Sequence, residues 1–453
     1  MKTDFSLTQL ADRGMAEADA ILRKCVHCGF CLATCPTYQL RGDELDSPRG
    51  RIYLIKDMLE KEQVPHPKTV LHIDRCLSCL SCMTTCPSSV HYMHLVDNAR
   101  TYIEKTYTRP LPDRLLRHLL AFVLPRPGIF RLSLYGAMLA RPLENIMPGR
   151  LKGLLGMAPK VLAKTSRMDS PQVFPAEGAR KMRVALMTGC AQKVLNTAIN
   201  EATIRLLTRH GVEVVVAEGA GCCGALTHHM GMEGKAHASA KANINAWCRE
   251  MDGEGLDHIV INTSGCGTTV KDYGHMLKGE PKLAADAEVI SAMALDITEL
   301  MSKLDLQASD KVPASGGASA SGGARGLKVA YHSACSMQHG QKITKAPIEL
   351  LRAAGFETVD IPEAHLCCGS AGTYNLLQPE LAEKLRDRKL ENIKSVAPQV
   401  IAAGNIGCMI QIASGTDIPL LHTVELLDWA TGGPRPAAMV ASYHVGQTTP
   451  SSR

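Results

Sequence analysis

Residues 25–36 read CVHCGFCLATCP, and residues 76–87 read CLSCLSCMTTCP. Both are C-x2-C-x2-C-x3-C-P runs. A C-x2-C-x2-C loop curls the backbone until three sulfurs face one centre, while the x3-Cys-Pro end turns away. In two-cluster iron–sulfur proteins the fourth cysteine of such a run ligates the other cluster. The runs therefore predict two [4Fe-4S] clusters with crossed ligation. Cluster I takes Cys25, Cys28, Cys31 and Cys86; cluster II takes Cys76, Cys79, Cys82 and Cys35. Zinc prefers two separated C-x2-C pairs, so two zinc sites are the weaker reading. The 40 residues between Cys35 and Cys76 exceed what a compact two-cluster domain needs and fit a helical one. Ser47-Pro48 reads as an N-cap and first helical residue. Helical patterns also run over 16–22 and 93–105.

The chain has 453 residues and 17 cysteines, and the remaining cysteines are also organised. Cys190, Cys222, Cys223 and Cys266 form a looser set, and Cys335, Cys367, Cys368 and Cys408 repeat it. The first three positions recur at an offset of 145 and the last at 142. This is an internal duplication. Around the cysteines, strand and helix patterns alternate: strands over 182–187, 212–217 and 258–262, helices over 197–208 and 234–249. The second repeat places strands over 329–331, 358–361 and 400–402. Such alternation predicts a parallel α/β sheet, and both cysteine sets then emerge at the carboxyl ends of strands, where open sheets bind ligands. Both sets are candidate metal or redox sites, with one or two further iron–sulfur clusters as the sharper expectation. Cys248 stands alone on a helix and reads as a packed residue. Residues 219–224, GAGCCG, match a G-x-G-x-x-G pattern, but the second repeat keeps only Cys-Cys-Gly, which argues against a dinucleotide site.

The expected organisation is multidomain. It comprises an α-helical two-cluster domain (1–108), a basic helical bridge (109–180), and a first α/β Cys-Cys-Gly domain (181–306). A Gly/Ser/Ala-rich flexible linker (307–326), a second α/β Cys-Cys-Gly domain (327–432) and a disordered tail (433–453) follow. Apolar content of 45% suits packed cores, and aromatics at 4% argue against a nucleic-acid stacking platform. The net charge of +6 is uneven: residues 109–167 carry eleven Lys or Arg against Asp113 and Glu144, so the rest is net acidic. This bridge suits either packing between domains and subunits, with solvated cations outside, or an anionic membrane surface. No stretch is long and apolar enough to span a bilayer, and no secretory signal is visible. A cytoplasmic protein, peripheral at most on the cytoplasmic face of the inner membrane, is expected.

The motifs resemble the Cys-Cys-Gly-repeat iron–sulfur subunits of flavin dehydrogenases and heterodisulfide reductases, and most nearly the glycolate oxidase iron–sulfur subunits. CVHCGFCLATCPTYQL from Cys25, GDELDSPRGRIYLIK from Gly42 and RCLSCLSCMTTCPSSVHY from Arg75 carry the resemblance. So do RPLPDRLLR from Arg109, GCCGA from Gly221, SGCGTTVKDYGHMLK from Ser264 and HLCCGSAGTYNL from His365. It extends to about residue 430 and implies a ferredoxin-type N-terminal domain. It also implies an electron-transfer role, relaying electrons from a partner FAD subunit that oxidises glycolate to glyoxylate toward a quinone-type acceptor. No catalytic residue or FAD site is expected on this chain. Lactate or glycerol-3-phosphate dehydrogenase subunits are the alternative within the class. A heterodisulfide-reductase-like thiol/disulfide role is disfavoured. That pattern ends each set in Cys-x-x-Cys, whereas Thr269 and Gln411 occupy the fifth positions here.

Overall fold

The computed structural model describes residues 1–142, 155, 159, 161–304, 306 and 324–439. The N-terminal region is helical. Arg13–Lys24, Pro48–Lys61 and Tyr92–Thr106 are its longest helices, packed around Leu22, Ile55, Ile73, Leu95 and Ile103. Ser47 caps the middle helix, accepting from the Gly50 N–H, with Pro48 in its first turn. Both cysteine loops carry left-handed residues two and four places after the first cysteine: His27 and Gly29, then Ser78 and Leu80. That shared backbone pattern curls each loop over its sulfurs.

Two sheets follow. β1 (Gln172–Phe174), β2 (Met182–Met187), β3 (Val212–Val216), β4 (His258–Ile261) and β5 (Ala294–Asp296) lie in the order β1-β3-β2-β4-β5. β6 (Lys328–His332), β7 (Glu357–Val359), β8 (Val400–Ala403) and β9 (Leu420–His422) lie in the order β7-β6-β8-β9. All pairings are parallel except β1 with β3. The repeat is therefore topological as well as sequential, β2 to β5 matching β6 to β9. β5 and β9, three residues each, run directly into helices Ile297–Met301 and Thr423–Ala430, which masks a strand period in the sequence.

The structure revises several boundary expectations. The bridge is helical over Leu111–Val123 and Pro127–Ala140, but its end supplies the antiparallel edge strand β1. The part of the bridge at 143–154, 156–158 and 160 lies outside the described residues. So do residues 307–323 of the expected linker; its last residues are structured, with Ala324 fully buried and Gly326 donating to Gly355 O. The tail is not wholly disordered. Residues 433–439 fold back, with Gly433 donating to Asp428 O and Met439 buried in the core, while 440–453 lie outside the described residues. A short apolar stretch behind Pro434 and Pro436 gives no periodic signal, so the sequence hides that contact.

The two α/β units do not have separate cores. Val184, Leu186, Val214 and Val260 of the first sheet join Val329, Ala330, Ile401 and Leu421 of the second in one cluster. Helix Ala198–Arg209 lies against helix Thr423–Ala430, where Asp428 takes Arg205 at 2.7 Å and Arg209 at 2.9 Å. His422 Nε2 donates to Asn262 O at 2.8 Å, and Ser264 N–H to Gly404 O. The other face of the first sheet, through Ala185, Met187 and Ile261, packs on Ile244, Trp247 and Ile290.

A cluster of ionisable groups joins the N-terminal domain to the first α/β unit. His94 meets Asp272 at 3.0 Å and Glu17 at 3.4 Å, and stacks on His275, which contacts Glu17 at 2.5 Å. Burial opposes charge on His94, but its hydrogen bonds to Asp272 and Glu17 outweigh it and raise the group from 6.5 to about 9. Hydrogen bonds from His275 and His94 hold Glu17 well below its usual 4.5. A raised histidine stabilises fully below its unfolded pKa and loses that contribution as pH climbs through the folded one; a lowered carboxylate loses its contribution as pH falls. Anaerobic denaturant unfolding is expected to show stability falling by on the order of 1–3 kcal/mol between pH 6.5 and 9.5. His94→Gln should flatten that alkaline limb; an equally steep limb in the variant would discard the assignment.

Candidate iron–sulfur centres

The structure brings the sixteen candidate cysteines into adjoining groups. Cys25, Cys28, Cys31 and Cys86 line one cavity with Arg49, Ile52, Cys82 and Tyr92. Cys28 is exposed at its mouth, flanked by exposed Val26 and Phe30. Burial, with Cys25 and Cys35 nearby, pushes the Cys31 thiol up to about 11. Cys35, Cys76, Cys79 and Cys82 are all buried. Burial raises Cys82, and the neighbouring Cys79, Cys76 and Cys35 raise it further. Cys35 bears on Cys79 and Cys82 of the second run as well as on Cys31 of its own.

The DSPRGR stretch builds the floor beneath Cys35. Asp46 is fully buried, yet its carboxylate meets Arg41 at 2.7 Å, His72 at 2.8 Å, Arg75 at 3.1 Å and Arg51 at 3.5 Å. Arg51 is also buried; it donates to His72 O at 2.7 Å, Thr37 Oγ1 at 3.0 Å and Cys35 Sγ at 3.9 Å. Burial opposes its charge, but Cys76, Tyr92, Cys35 and Asp46 together raise it above its ordinary value. Arg49 donates to His27 O in the first loop and to Glu44. Sequence reading used these residues only as a motif. Their roles were hidden because a buried arginine has the same helical spacing as a surface one.

Within each looser set the thiols perturb one another in sequence, Cys190, Cys222, Cys223, Cys266, and likewise Cys335, Cys367, Cys368, Cys408, with Cys335 Sγ 3.8 Å from Cys367 Sγ. The fourth cysteines sit not in loops but in the first turn of helices Ser264–Lys271 and Ile406–Ala413. Glycine follows each pair for a steric reason. Gly224 and Gly369 hold φ of +86° and +89°, and a Cβ would lie 2.9 Å from Ala236 O and 2.4 Å from Ala382 O. Their N–H groups donate to Cys222 Sγ at 3.5 Å and Cys367 Sγ at 3.4 Å. Thr269 and Gln411, at the missing fifth cysteines, are spent elsewhere: Thr269 on Gly265 O, Gln411 on Asn375 and Ala382 O. Cys248 packs at the edge of the first unit's core.

The second set adjoins the second run. Cys79 and Cys367 are buried in one cluster with Leu77, Tyr374 and Leu381, and Cys335 packs against it. The first set adjoins the second through Ser264 and Ser336, whose hydroxyls meet at 2.7 Å, and through Thr268 Oγ1, which donates to Ser336 O at 2.9 Å. Buried and half-buried cysteines gathered in this way suit iron–sulfur clusters.

Known families match these same segments. The 4Fe-4S dicluster domain family matches residues 24–90, and the cysteine-rich domain family matches 184–271 and 329–413. The glycolate oxidase iron–sulfur subunit of Escherichia coli is 42% identical over 95% of this chain and 99% of its own length. The chain belongs to the glycolate oxidase iron–sulfur subunit family. As in that family, it is an iron–sulfur electron-transfer subunit of an oxidoreductase complex. The lactate utilization protein A of Geobacillus kaustophilus is more distant, at 28% identity over 54% of this chain and 99% of its own. A hypothetical protein from Helicobacter pylori shares the fold at a TM-score of 0.52 and 8% identity, covering 95% of this chain and 74% of that one.

Proposed function

We propose that this subunit carries electrons from a partner flavoprotein that oxidises glycolate to glyoxylate toward a quinone-type acceptor. That oxidation releases two electrons and two protons. A flavin takes them together, and the chain accepts the electrons one at a time. Cys25, Cys28, Cys31 and Cys86 would hold cluster I; Cys76, Cys79, Cys82 and Cys35 would hold cluster II. The Cys190 and Cys335 sets would hold further groups. The observation that carries the reading is the packing of Cys79 with Cys367 and Cys335, which makes a continuous route from the paired runs into the Cys-Cys-Gly units. Exposed Cys28, between apolar Val26 and Phe30, is the open end, suited to a protein partner. The relative matched over its full length by nearly all of this chain favours glycolate over lactate.

The acceptor side has its own support. Leu111, Leu115, Leu119 and Phe122 form an exposed stripe along one helix, and Leu132, Tyr135 and Leu139 another along the next. Arg114 and Arg126 are exposed beside the first. Arg109 and Arg117 are not available, being buried against Asp74 at 2.6 Å and 3.0 Å. The stripes suit a shallow seat on an anionic bilayer. Among the described residues no helix is long and apolar enough to cross a membrane.

Reconstitution with a flavin subunit on quinone-containing anionic liposomes tests both halves. Glycolate should bleach the clusters of the assembled complex, and Leu115→Ser/Leu119→Ser should abolish liposome binding and slow only quinone reduction. Failure of glycolate to reduce the clusters would reject the glycolate reading; unchanged liposome binding would reject the bilayer seat.

A further inference from the structure

The two Cys-Cys-Gly sets descend from one unit, yet their surroundings have diverged. β2 ends in Met187 and β6 ends in His332, at the shared offset of 145. Met187 is apolar filling in the first core. His332 is only 2% exposed, and neither of its ring nitrogens has a hydrogen-bond partner. A ring nitrogen of His332 and the sulfurs of Cys368 and Cys408 all lie within 4.8 Å of one another. Two donors on one metal stand about 3–4 Å apart, given metal–sulfur and metal–nitrogen bonds near 2.3 and 2.0 Å. A buried imidazole with both nitrogens orphaned is destabilising, since neither regains the hydrogen bond it had with water. An apolar residue would fit the strand end without that cost, as Met187 does in the other repeat.

A second difference lies across the site. Helices Glu233–Asp252 and Pro379–Ser395 correspond, since Ala236 and Ala382 cover the glycine of each pair. Seven residues on, the first repeat has Asn243, whose side chain donates to Cys222 O and Tyr273 Oη. The second has Lys389, 2% exposed, held by Glu363 O at 2.8 Å.

We propose that His332 is a nitrogen ligand of the metal group held by Cys335, Cys367, Cys368 and Cys408. The second site then has a mixed sulfur and nitrogen donor set, and the first site is all-sulfur. His332 supplies the fifth donor that Gln411 does not. The two duplicated sites therefore hold electronically distinct groups, because the second carries a neutral imidazole donor and a buried lysine where the first has Met187 and Asn243.

The proposal rests on the Cys-Cys-Gly sites being loaded, and the test separates the two claims. The full chain is purified anaerobically, its iron counted, and pulsed EPR recorded on protein with natural and 15N-labelled histidine. The expected result is more than eight irons per chain and a nitrogen coupling that changes with the histidine label. That coupling should be lost in His332→Cys, which keeps the iron, and retained in Met187→Leu. Labelled wild type alone gives an answer should the variants misfold. More than eight irons without a label-sensitive coupling, or a coupling that survives His332→Cys, overturns the ligand. Eight irons or fewer overturns both the ligand and the loading.

Discussion

Asp46→Ala is expected to destabilise the N-terminal domain by about 3–5 kcal/mol, because it leaves Arg51 buried and uncompensated. Asp46 is fully buried and meets three arginines and His72, so its carboxylate is the common counterion of a group that would otherwise repel itself. The damage reaches the cluster ligands. Asp46 O accepts from Thr37 Oγ1 at 2.7 Å and from Cys35 Sγ at 3.6 Å, and Arg51 touches the same sulfur. The observable is an anaerobic Tm lowered by roughly 5–15 °C, with faster bleaching in air. Asp46→Ala/Arg51→Met should recover part of the loss, since removing both charges leaves neither buried alone. A variant with wild-type Tm would show that the arginines reach solvent and that the floor under Cys35 is not built on their pairing.

Cys79→Ala is expected to remove about four irons per chain and to stop electrons from passing between the paired runs and the Cys-Cys-Gly units. Cys79 is the cysteine of the second run that is buried together with Cys367. Burial raises its thiol first, with Cys335, Cys35 and Cys76 adding to the effect, so thiols of both parts of the molecule bear on it. The cavity of Cys25, Cys28, Cys31 and Cys86 does not include Cys79, so cluster I should survive. Iron analysis and glycolate-driven quinone reduction by the assembled complex report the two effects separately. Unchanged iron would remove Cys79 from the ligand set. Lost iron with undiminished quinone reduction would remove cluster II from the route.

Much of this organisation is legible in the sequence because cysteine spacing encodes it. The C-x2-C-x2-C curl and the strand-end position of Cys190 and Cys335 follow from local rules. The repeat spacing even gives the matching of β2 with β6. What escaped reading is what depends on contact between distant segments. Alternating Val184 and Leu186 announce a buried face but not that Val329 and Ile401 share its core. Arg51 looks like a surface cation on an amphipathic helix until Asp46 folds over it. Among the residues that escape the cysteine pattern, His332 does carry a readable signal. Aligning VALMTGC at Val184 with VAYHSAC at Val329 sets His332 against Met187, a polar residue at an apolar strand end.

Anaerobic EPR of the fully reduced chain, with iron and acid-labile sulfide counted on the same sample, tests the central claim most directly. An electron relay built on crossed runs predicts at least eight irons and eight sulfides per chain, and reduced clusters close enough to split each other's signals. Zinc in place of iron, or reduced clusters with no magnetic interaction, would contradict it.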